Sequence, residues 1–489
     1  MAKETTGAAA SPASVMDDNE NGMANRPLKG RHYHFIGSGG IGMSGLAKLL
    51  LQNGAEVTGS DQEDSAVVRH LNELGARITI GHHGENIRLP VDTVVISAAI
   101  REENPELRAA RAHGCKVVKY AQMLGEMMDR YAGIAVCGTH GKSTTSGWLS
   151  HLLTLAGRRP SYIVGADIPQ LKSSSGVGKT GGLFVAEACE YDRSFLNLHP
   201  QVGVMLNIEQ DHLDYYANEA EIVEAFADFS KNIRPGGVLV ANGQDGNCRL
   251  VLRDLRPDIR KLTFGLEPSC DFYAQSLQLV DGLYRFDAHR SGRFLGRVTI
   301  SIPGRHNVLN AMAVIAACVG AGIPFEEIAP HLGLFTGMDR RLMVKDQYAG
   351  ITVIDDYAHH PTEIRASLLA IRQRFSPKRL WCVFQPHQYS RTRFLLDDFA
   401  ESFMLADITI VPEIYFVRDT MESRQQINAE VLVDRICRQG CRAVFLNDFA
   451  AIGQALREQV QSGDVVVTMG AGTVWKVADE YLQWLRKNR

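Results

Sequence analysis

The segment Gly138-Thr139-His140-Gly141-Lys142-Ser143-Thr144-Thr145 follows an apolar run and precedes a long helical pattern. Glycines in such a turn let successive amides close on the β- and γ-phosphates of a nucleotide. Lys142 adds a positive charge, and the Ser143 hydroxyl is a magnesium ligand. The usual phosphate loop has a glycine where this chain has Val136, so the motif is a shortened variant. Its order of strand, turn, Lys-Ser-Thr and helix still predicts that Gly138 to Thr144 bind ATP. Such a site also needs metal ligands from neighbouring strand ends. Glu187 ends the strand-like run Leu183 to Ala186, and Asn207-Ile208-Glu209-Gln210-Asp211-His212 follows another. Magnesium takes carboxylate, hydroxyl, phosphate and water oxygens, which suits Ser143 and Glu187. A histidine is less usual, so by itself His212 reads as structural.

A second glycine turn, Gly37-Ser38-Gly39-Gly40-Ile41-Gly42, lies between a strand and a helix, with Asp61 ending the next strand. Amides at such a helix start bind a pyrophosphate, so dinucleotide or diphosphate binding is expected. NAD and a UDP-sugar both offer a ribose and a pyrophosphate, and the motif does not separate them. A third set follows two later strands: Asp355-Asp356-Tyr357-Ala358-His359-His360-Pro361 and Gln385-Pro386-His387-Gln388-Tyr389-Ser390-Arg391-Thr392-Arg393. The planar forks of Arg391 and Arg393 suit a carboxylate or a phosphate. Two strand ends carrying histidines, aspartates and arginines predict a functional face.

The elements that must hold these groups alternate between strand and helix patterns. Strands are expected at His32 to Ile36, Glu56 to Asp61, Arg77 to Ile80, Thr93 to Ala98 and Lys116 to Val118, with a helix from Met43 to Gln52. A second series runs through Gly133 to Cys137, Leu183 to Ala186, Gly203 to Asn207 and Val238 to Ala241, with Lys172 to Gly182 read as turn-rich. The last comprises Ile351 to Asp355, Leu380 to Phe384, Ile408 to Val411, Ala443 to Leu446 and Val465 to Met469. The expected fold class is α/β, with a disordered extension over 1–29 and domains over 30–129, 130–335 and 336–489.

The 489 residues suit about three domains, and 45% hydrophobic against 22% charged residues is a globular composition. With 52 basic and 55 acidic residues the formal charge is −3, so no basic field points to nucleic acid. The 9 cysteines are scattered and read as reduced thiols. The apolar run Ala311 to Ile323 is shorter than the ~18 residues of a membrane span and suits a buried helix. With no secretory signal in the polar N-terminus, a cytoplasmic protein without membrane insertion is expected.

Taken in order, HFIGSGGIGMSGLA, GTHGKSTT, EACEYDRSFL, NIEQDHLD, GRHNVLNA, DDYAHHPTEI and QPHQYSRT resemble the Mur ligases of peptidoglycan synthesis, from about Gly30 to the C-terminus. The resemblance implies three domains: Rossmann-like for a UDP-sugar, a central P-loop ATPase type, and Rossmann-like for an amino acid. It implies the alanine-adding branch, in which ATP and Mg2+ serve to phosphorylate the lactyl carboxylate of UDP-N-acetylmuramate and L-alanine then displaces phosphate. A monomer or weak homodimer is expected. Position by position, Lys142 would hold the γ-phosphate, Ser143 and Glu187 one magnesium, and His212 a second metal. Asn307 and Asn310 match an adenine-side contact, and Arg341 a nucleotide contact at the domain junction. Tyr357, His359, His387 and Arg391 would line the amino-acid pocket, with Arg391 on the alanine carboxylate. Gly37, Ser38, Gly39, Gly40, Ile41, Gly42, Asp61 and Ser97 would bind the UDP end. Many relatives read EADESD where this chain has Glu187 to Asp192, and many have arginine at Gln388, so the role of Glu190 and the amino-acid preference stay open. The alternatives are a Mur-type ligase for another amino acid or a peptide, an NAD-dependent oxidoreductase, and a non-catalytic nucleotide-binding module.

Overall fold

The computed structural model describes residues 27–212, 215–417 and 419–488. Residues 1–26, most of the expected extension, lie outside them. Among the described residues no helix is long and apolar enough to cross a membrane.

Three sheets follow one another along the chain. The first has β1 (His32–Ile36), β2 (Glu56–Asp61), β3 (Arg77–Ile80), β4 (Thr93–Ile96) and β5 (Val117–Lys119) in the order β3-β2-β1-β4-β5, all parallel. Chain order reverses between β1 and β4, so the crevice beyond their carboxyl ends is where such a sheet receives a ligand. The Gly37 turn and Ser97 both sit there.

The second sheet contains β6 (Ala132–Cys137), β7 (Ser161–Ile168), β8 (Ser173–Gly176), β9 (Leu183–Glu187), β10 (Val202–Met205), β11 (Val238–Asn242), β12 (Arg260–Gly265), β13 (Phe272–Val280), β14 (Leu283–Arg290) and β15 (Arg293–Thr299). Its order is β15-β14-β13-β12-β11-β10-β6-β9-β7-β8. The phosphate-loop strand β6 lies between β9, which ends on Glu187, and β10, which leads to Asn207. Helix Arg305–Gly320 is apolar on nearly every side and is buried against β11, β12 and helix Lys142–Leu155. Each fully buried Val, Ile or Met on it contributes roughly 1.5–3 kcal/mol.

The segment read as turn-rich, Lys172 to Gly182, contains β8, antiparallel to β7. Its Ser-Ser-Ser-Gly sequence has no apolar alternation. Small side chains are needed there because helix Ile41–Gln52 of the first domain packs on it. A Cβ on Gly45 would lie 3.1 Å from that of Ser175, and Lys48 Nζ donates to the Ser175 carbonyl at 3.3 Å. The third sheet has β16 (Met343–Tyr348), β17 (Ile351–Asp356), β18 (Leu380–Phe384), β19 (Ile408–Val411), β20 (Ala443–Phe445) and β21 (Val465–Met469), ordered β16-β17-β21-β18-β19-β20 with only β16 antiparallel.

Candidate functional site

The phosphate loop turns at Gly141, whose φ of +85° is left-handed. A Cβ there would come 2.9 Å from Asn310 Oδ1, so both conformation and space call for glycine. The loop is stitched to the segment after β10. Asn207 accepts from the His140 amide at 2.8 Å through Oδ1 and donates to the His140 carbonyl at 3.1 Å. The Thr139 amide donates to the Asn207 carbonyl at 3.0 Å, and the Glu209 amide to the Thr139 hydroxyl at 2.8 Å. The first amides of helix Lys142–Leu155 have no carbonyl within the helix to bind, and they are the donors left to a phosphate.

Lys142 Nζ donates to the carbonyls of Gly138 at 2.6 Å and Thr139 at 3.1 Å and to Glu190 at 2.9 Å. Burial works to lower the pKa of this ammonium, but Glu190 and its acidic neighbours outweigh it and hold the group charged above its ordinary range. Glu190 also faces His212, with Oε1 3.3 Å from Nε2. Its own carboxyl stays below the usual range, because Lys142 and His212 outweigh the cost of burial. Glu190 is therefore a member of the site that sequence reading left without a role. The signal was present: an acid three residues after Glu187 in a segment leaving a strand end.

Ser143 Oγ donates to Glu187 Oε2 at 3.2 Å, while Glu187 Oε1 accepts from the Gly165 amide at 2.5 Å. His212 has a left-handed φ of +54°, and its Nδ1 is buried with no hydrogen-bond partner among the described residues. With Nε2 turned to Glu190, Nδ1 is the nitrogen left to hold a metal. Ser143 and Glu187 thus offer the oxygen donors of one magnesium, and the His212 Nδ1 lone pair suits a second metal.

A cavity of about 380 Å3 opens beside the loop, lined by His140, Gly141, Thr144, Asn307, Asn310 and Arg341 among others. Asn307 Nδ2 donates to the Pro303 carbonyl at 2.6 Å, and Asn310 Nδ2 to Asn307 Oδ1 at 3.0 Å. Asn310 lies against the phosphate loop, since a Cβ on Gly141 would come 2.9 Å from its Oδ1. Arg341 stacks on Tyr357, 4.8 Å from the ring centroid.

Tyr357, His359, His387 and Arg391 are brought together. The ring of His359 lies edge-on to Tyr357 at 5.4 Å and 6.0 Å from His387, and Arg391 Nη1 is 3.3 Å from His387 Nδ1. Burial, helped by the Arg391 cation, pushes the His359 imidazole down to about 4 against the pull of Glu363, so it is neutral at neutral pH. Arg391 is only 4% exposed and is engaged by Asp211, 6% exposed, at 2.8 and 3.1 Å. The arginine expected to meet a substrate carboxylate is thus held by a protein one, and this holds the Asp211 carboxyl well below its usual range despite burial. Asp211 lies in the segment expected to supply metal ligands but was given no role of its own.

In the first domain Gly37 has a φ of +83°, and a Cβ on it would lie 3.0 Å from Ser97 Oγ. The amides of Gly37 and Ser38 donate to the Ser60 carbonyl at 2.9 and 3.0 Å. Asp61 Oδ2 accepts from the Gly39 amide at 2.7 Å, so this acid shapes the turn itself. Ser38 is buried, with its hydroxyl on the carbonyls of Ser60 and Phe35. Gly40 caps helix Ile41–Gln52, and Ile41 is exposed at its start. A Cβ on Gly42 would lie 2.7 Å from the Tyr120 ring. Burial, with Glu187 and Cys189 nearby, holds the Tyr120 phenol above its ordinary range. Tyr120 therefore fills the space beside Gly42.

Comparison with known proteins covers the same three regions. The profile described as "Mur ligase family, catalytic domain" matches residues 32–132, "Mur ligase middle domain" 136–318, and "Mur ligase, glutamate ligase domain" 340–472. Over 454 residues the chain is 40% identical to a UDP-N-acetylmuramate--L-alanine ligase of Alkaliphilus metalliredigens (strain QYMF), covering 92% of this chain and 97% of the relative. Over 451 residues it is 41% identical to one of Clostridium novyi (strain NT), with the same two coverages. Among solved structures, the UDP-N-acetylmuramate-alanine ligase of Thermotoga maritima superposes with a TM-score of 0.77 at 26% identity, over 94% of this chain and 100% of the other. The chain belongs to the Mur ligase family.

Proposed function

We propose that this chain joins L-alanine to the lactyl carboxylate of UDP-N-acetylmuramate, converting ATP to ADP and phosphate, as an early step of peptidoglycan synthesis in the cytoplasm. The observation that carries the reading is the continuity of the site. The phosphate loop is bonded through Asn207 to the segment that ends on Asp211, and Asp211 holds Arg391 of the third domain. A nucleotide phosphate and a carboxylate are thus received at two ends of one bonded unit.

A carboxylate is a poor electrophile at neutral pH, and transfer of a phosphoryl group turns one of its oxygens into a leaving group. Lys142 and the amides at the helix start bind the transferring phosphate and stabilise the charge that grows on it. Ser143 and Glu187 would hold one magnesium and His212 a second metal, which when bound would neutralise further phosphate charge. The Gly37 to Gly42 turn and Ser97, at the β1/β4 crevice, receive the UDP end, and Tyr120 borders the path from there to Glu187. Arg391 orients alanine by exchanging Asp211 for its carboxylate, and the amine then attacks the acyl phosphate to give the amide. The contacts between the second and third domains keep water from that intermediate.

The test is phosphate release by the purified chain with Mg2+ and ATP, across alanine, glycine, serine and a tripeptide. Release should need both UDP-N-acetylmuramate and an amino acid, with alanine preferred. Release without the sugar nucleotide, or a preference for the tripeptide, would sink the proposal.

A further inference from the structure

Beneath the glycine turn of the first domain lies a buried carboxylate that the ligation chemistry leaves without a role. Glu106 stands in the first turn of helix Pro105–Ala112 and is 0% exposed. An ionised carboxylate only accepts hydrogen bonds, so each polar group against it must donate. Its Oε2 accepts from the Ser60 hydroxyl at 2.7 Å and from His34 Nε2 at 3.1 Å. Its Oε1 accepts from Asn86 Nδ2 at 2.6 Å and from the His83 amide at 3.1 Å. Burial works to raise its pKa, but the bonds from His34, Asn86 and Ser60 outweigh it and hold the carboxyl below its usual range. β1, β2, the turn after β3 and the helix after β4 thus meet on one side chain. Well-packed apolar side chains often match or exceed a buried ionic group in stability, so the charge calls for an explanation in what its bonds fix.

Ser60 links Glu106 to the glycine turn. Its carbonyl accepts from the Gly37 amide at 2.9 Å, the Ser38 amide at 3.0 Å and the Ser38 hydroxyl at 3.0 Å. One peptide carbonyl therefore holds both residues that open the turn, and it belongs to the residue whose hydroxyl Glu106 holds. Asp61, next in the chain, accepts from the Gly39 amide at 2.7 Å. With Gly37, Ser38 and Gly39 fixed in this way, the first amides of helix Ile41–Gln52, which have no carbonyl within the helix to bind, are those left to a pyrophosphate. Hydrogen bonds weaken steeply as their angle opens, so a shift of Ser60 would be felt at the ligand.

We propose that Glu106 is a positioning residue for the sugar nucleotide, acting through Ser60 to set the direction of the amides that open helix Ile41–Gln52. This role rests on the reading that the Gly37 to Gly42 turn receives the UDP end. Glu106 itself stays beneath the turn, sealed from the ligand by the residues it holds.

The test is calorimetric titration of the full chain with UDP-N-acetylmuramate and, separately, with ATP and Mg2+, alongside thermal unfolding. Glutamine at position 106 offers one oxygen to four donors. Glu106→Gln should therefore weaken UDP-N-acetylmuramate by roughly tenfold, the low end of what a lost bond to a charged group costs, while ATP stays within about twofold. Ser60→Ala keeps the carbonyl that holds the turn and removes its tether to Glu106, so it should weaken the sugar nucleotide by a similar factor. The double variant should be no weaker than the poorer single one, because both break the same link. Wild-type affinity in Ser60→Ala, or additive losses in the double variant, would overturn the proposal. So would a lower melting temperature in Glu106→Gln with sugar-nucleotide affinity unchanged, which would make the carboxylate a packing element. If Glu106→Gln fails to fold, Ser60→Ala decides alone. Wild-type protein that binds no UDP-N-acetylmuramate would sink the functional reading and this role with it, whereas wild-type binding that both variants preserve sinks this role alone.

Discussion

Glu190→Gln is the most informative change in the site. It keeps the side chain's shape and removes the charge that faces Lys142 Nζ at 2.9 Å and His212 Nε2 at 3.3 Å. A hydrogen bond involving a charged group is worth about 1.5–3 kcal/mol. Glutamine can still accept from one of the two partners, so about half of the pair is lost, or roughly 1.5–3 kcal/mol. The loss falls on turnover, because Lys142 faces the phosphoryl charge only as it grows and His212 loses the bond that turns its Nδ1 inward. At 1.36 kcal/mol per tenfold, kcat should drop about 10- to 150-fold. The assay is phosphate release at saturating alanine and UDP-N-acetylmuramate over a range of ATP, with circular dichroism to confirm the fold. A kcat within threefold of wild type would refute the reasoning. If kcat held while KM for ATP fell, Glu190 would be only a restraint on the lysine.

Lys142→Ala should lower kcat by at least ~100-fold, as loss of a transition-state contact typically does, measured by the same release assay. Arg391→Ala leaves the Asp211 carboxylate buried without its counter-charge, at a stability cost of about 3–5 kcal/mol. Adding Asp211→Asn should recover most of that in denaturant unfolding while KM for alanine stays raised at least tenfold; recovery of that KM would remove Arg391 from the carboxylate. His306 is pushed down to about 4 by burial, against the upward pull of Glu363. The unfolded ring titrates near 6.5, so the stability it provides is complete above that pH and is lost as pH falls towards 4. Between pH 7 and 5 the loss is at most about 2 kcal/mol, less for the part of the ring that meets solvent. His306→Gln should flatten that slope in urea unfolding at the two pH values.

Most of the parallel strands were legible because each is a short apolar run closed by a turn, and the groups on their ends came with them; β7 and β12, both parallel to a neighbour, were missed. β8 was not legible either, since Ser173 to Gly176 carry no apolar pattern and owe their conformation to β7 and to the helix packed on Gly45. The hairpins of β13 to β15 escaped for a related reason: their outer faces are exposed and their alternation is diluted by Arg285, His289, Arg290 and Arg293. Within the site, Lys142, Ser143 and Glu187 could be read from local spacing. Asp211 could not, because its meaning lies in a partner 180 residues away. Asp61, expected as a ligand contact, also accepts from the Gly39 amide of its own turn. Local pattern names the chemistry a residue could perform, while long-range pairing decides whether its atoms are free to perform it.

The space kept open at Gly42 bears on how the first glycine motif is divided. Gly37 serves the chain's reversal, and Gly42 makes room for the ring of Tyr120. One part of a motif normally explained by its ligand is therefore joinery. A methyl group at position 42 would press on that phenol, which lies within electrostatic reach of Glu187, so damage at the sugar-nucleotide turn would be felt in phosphoryl transfer. Two substrates that never touch the same glycine would then share its loss.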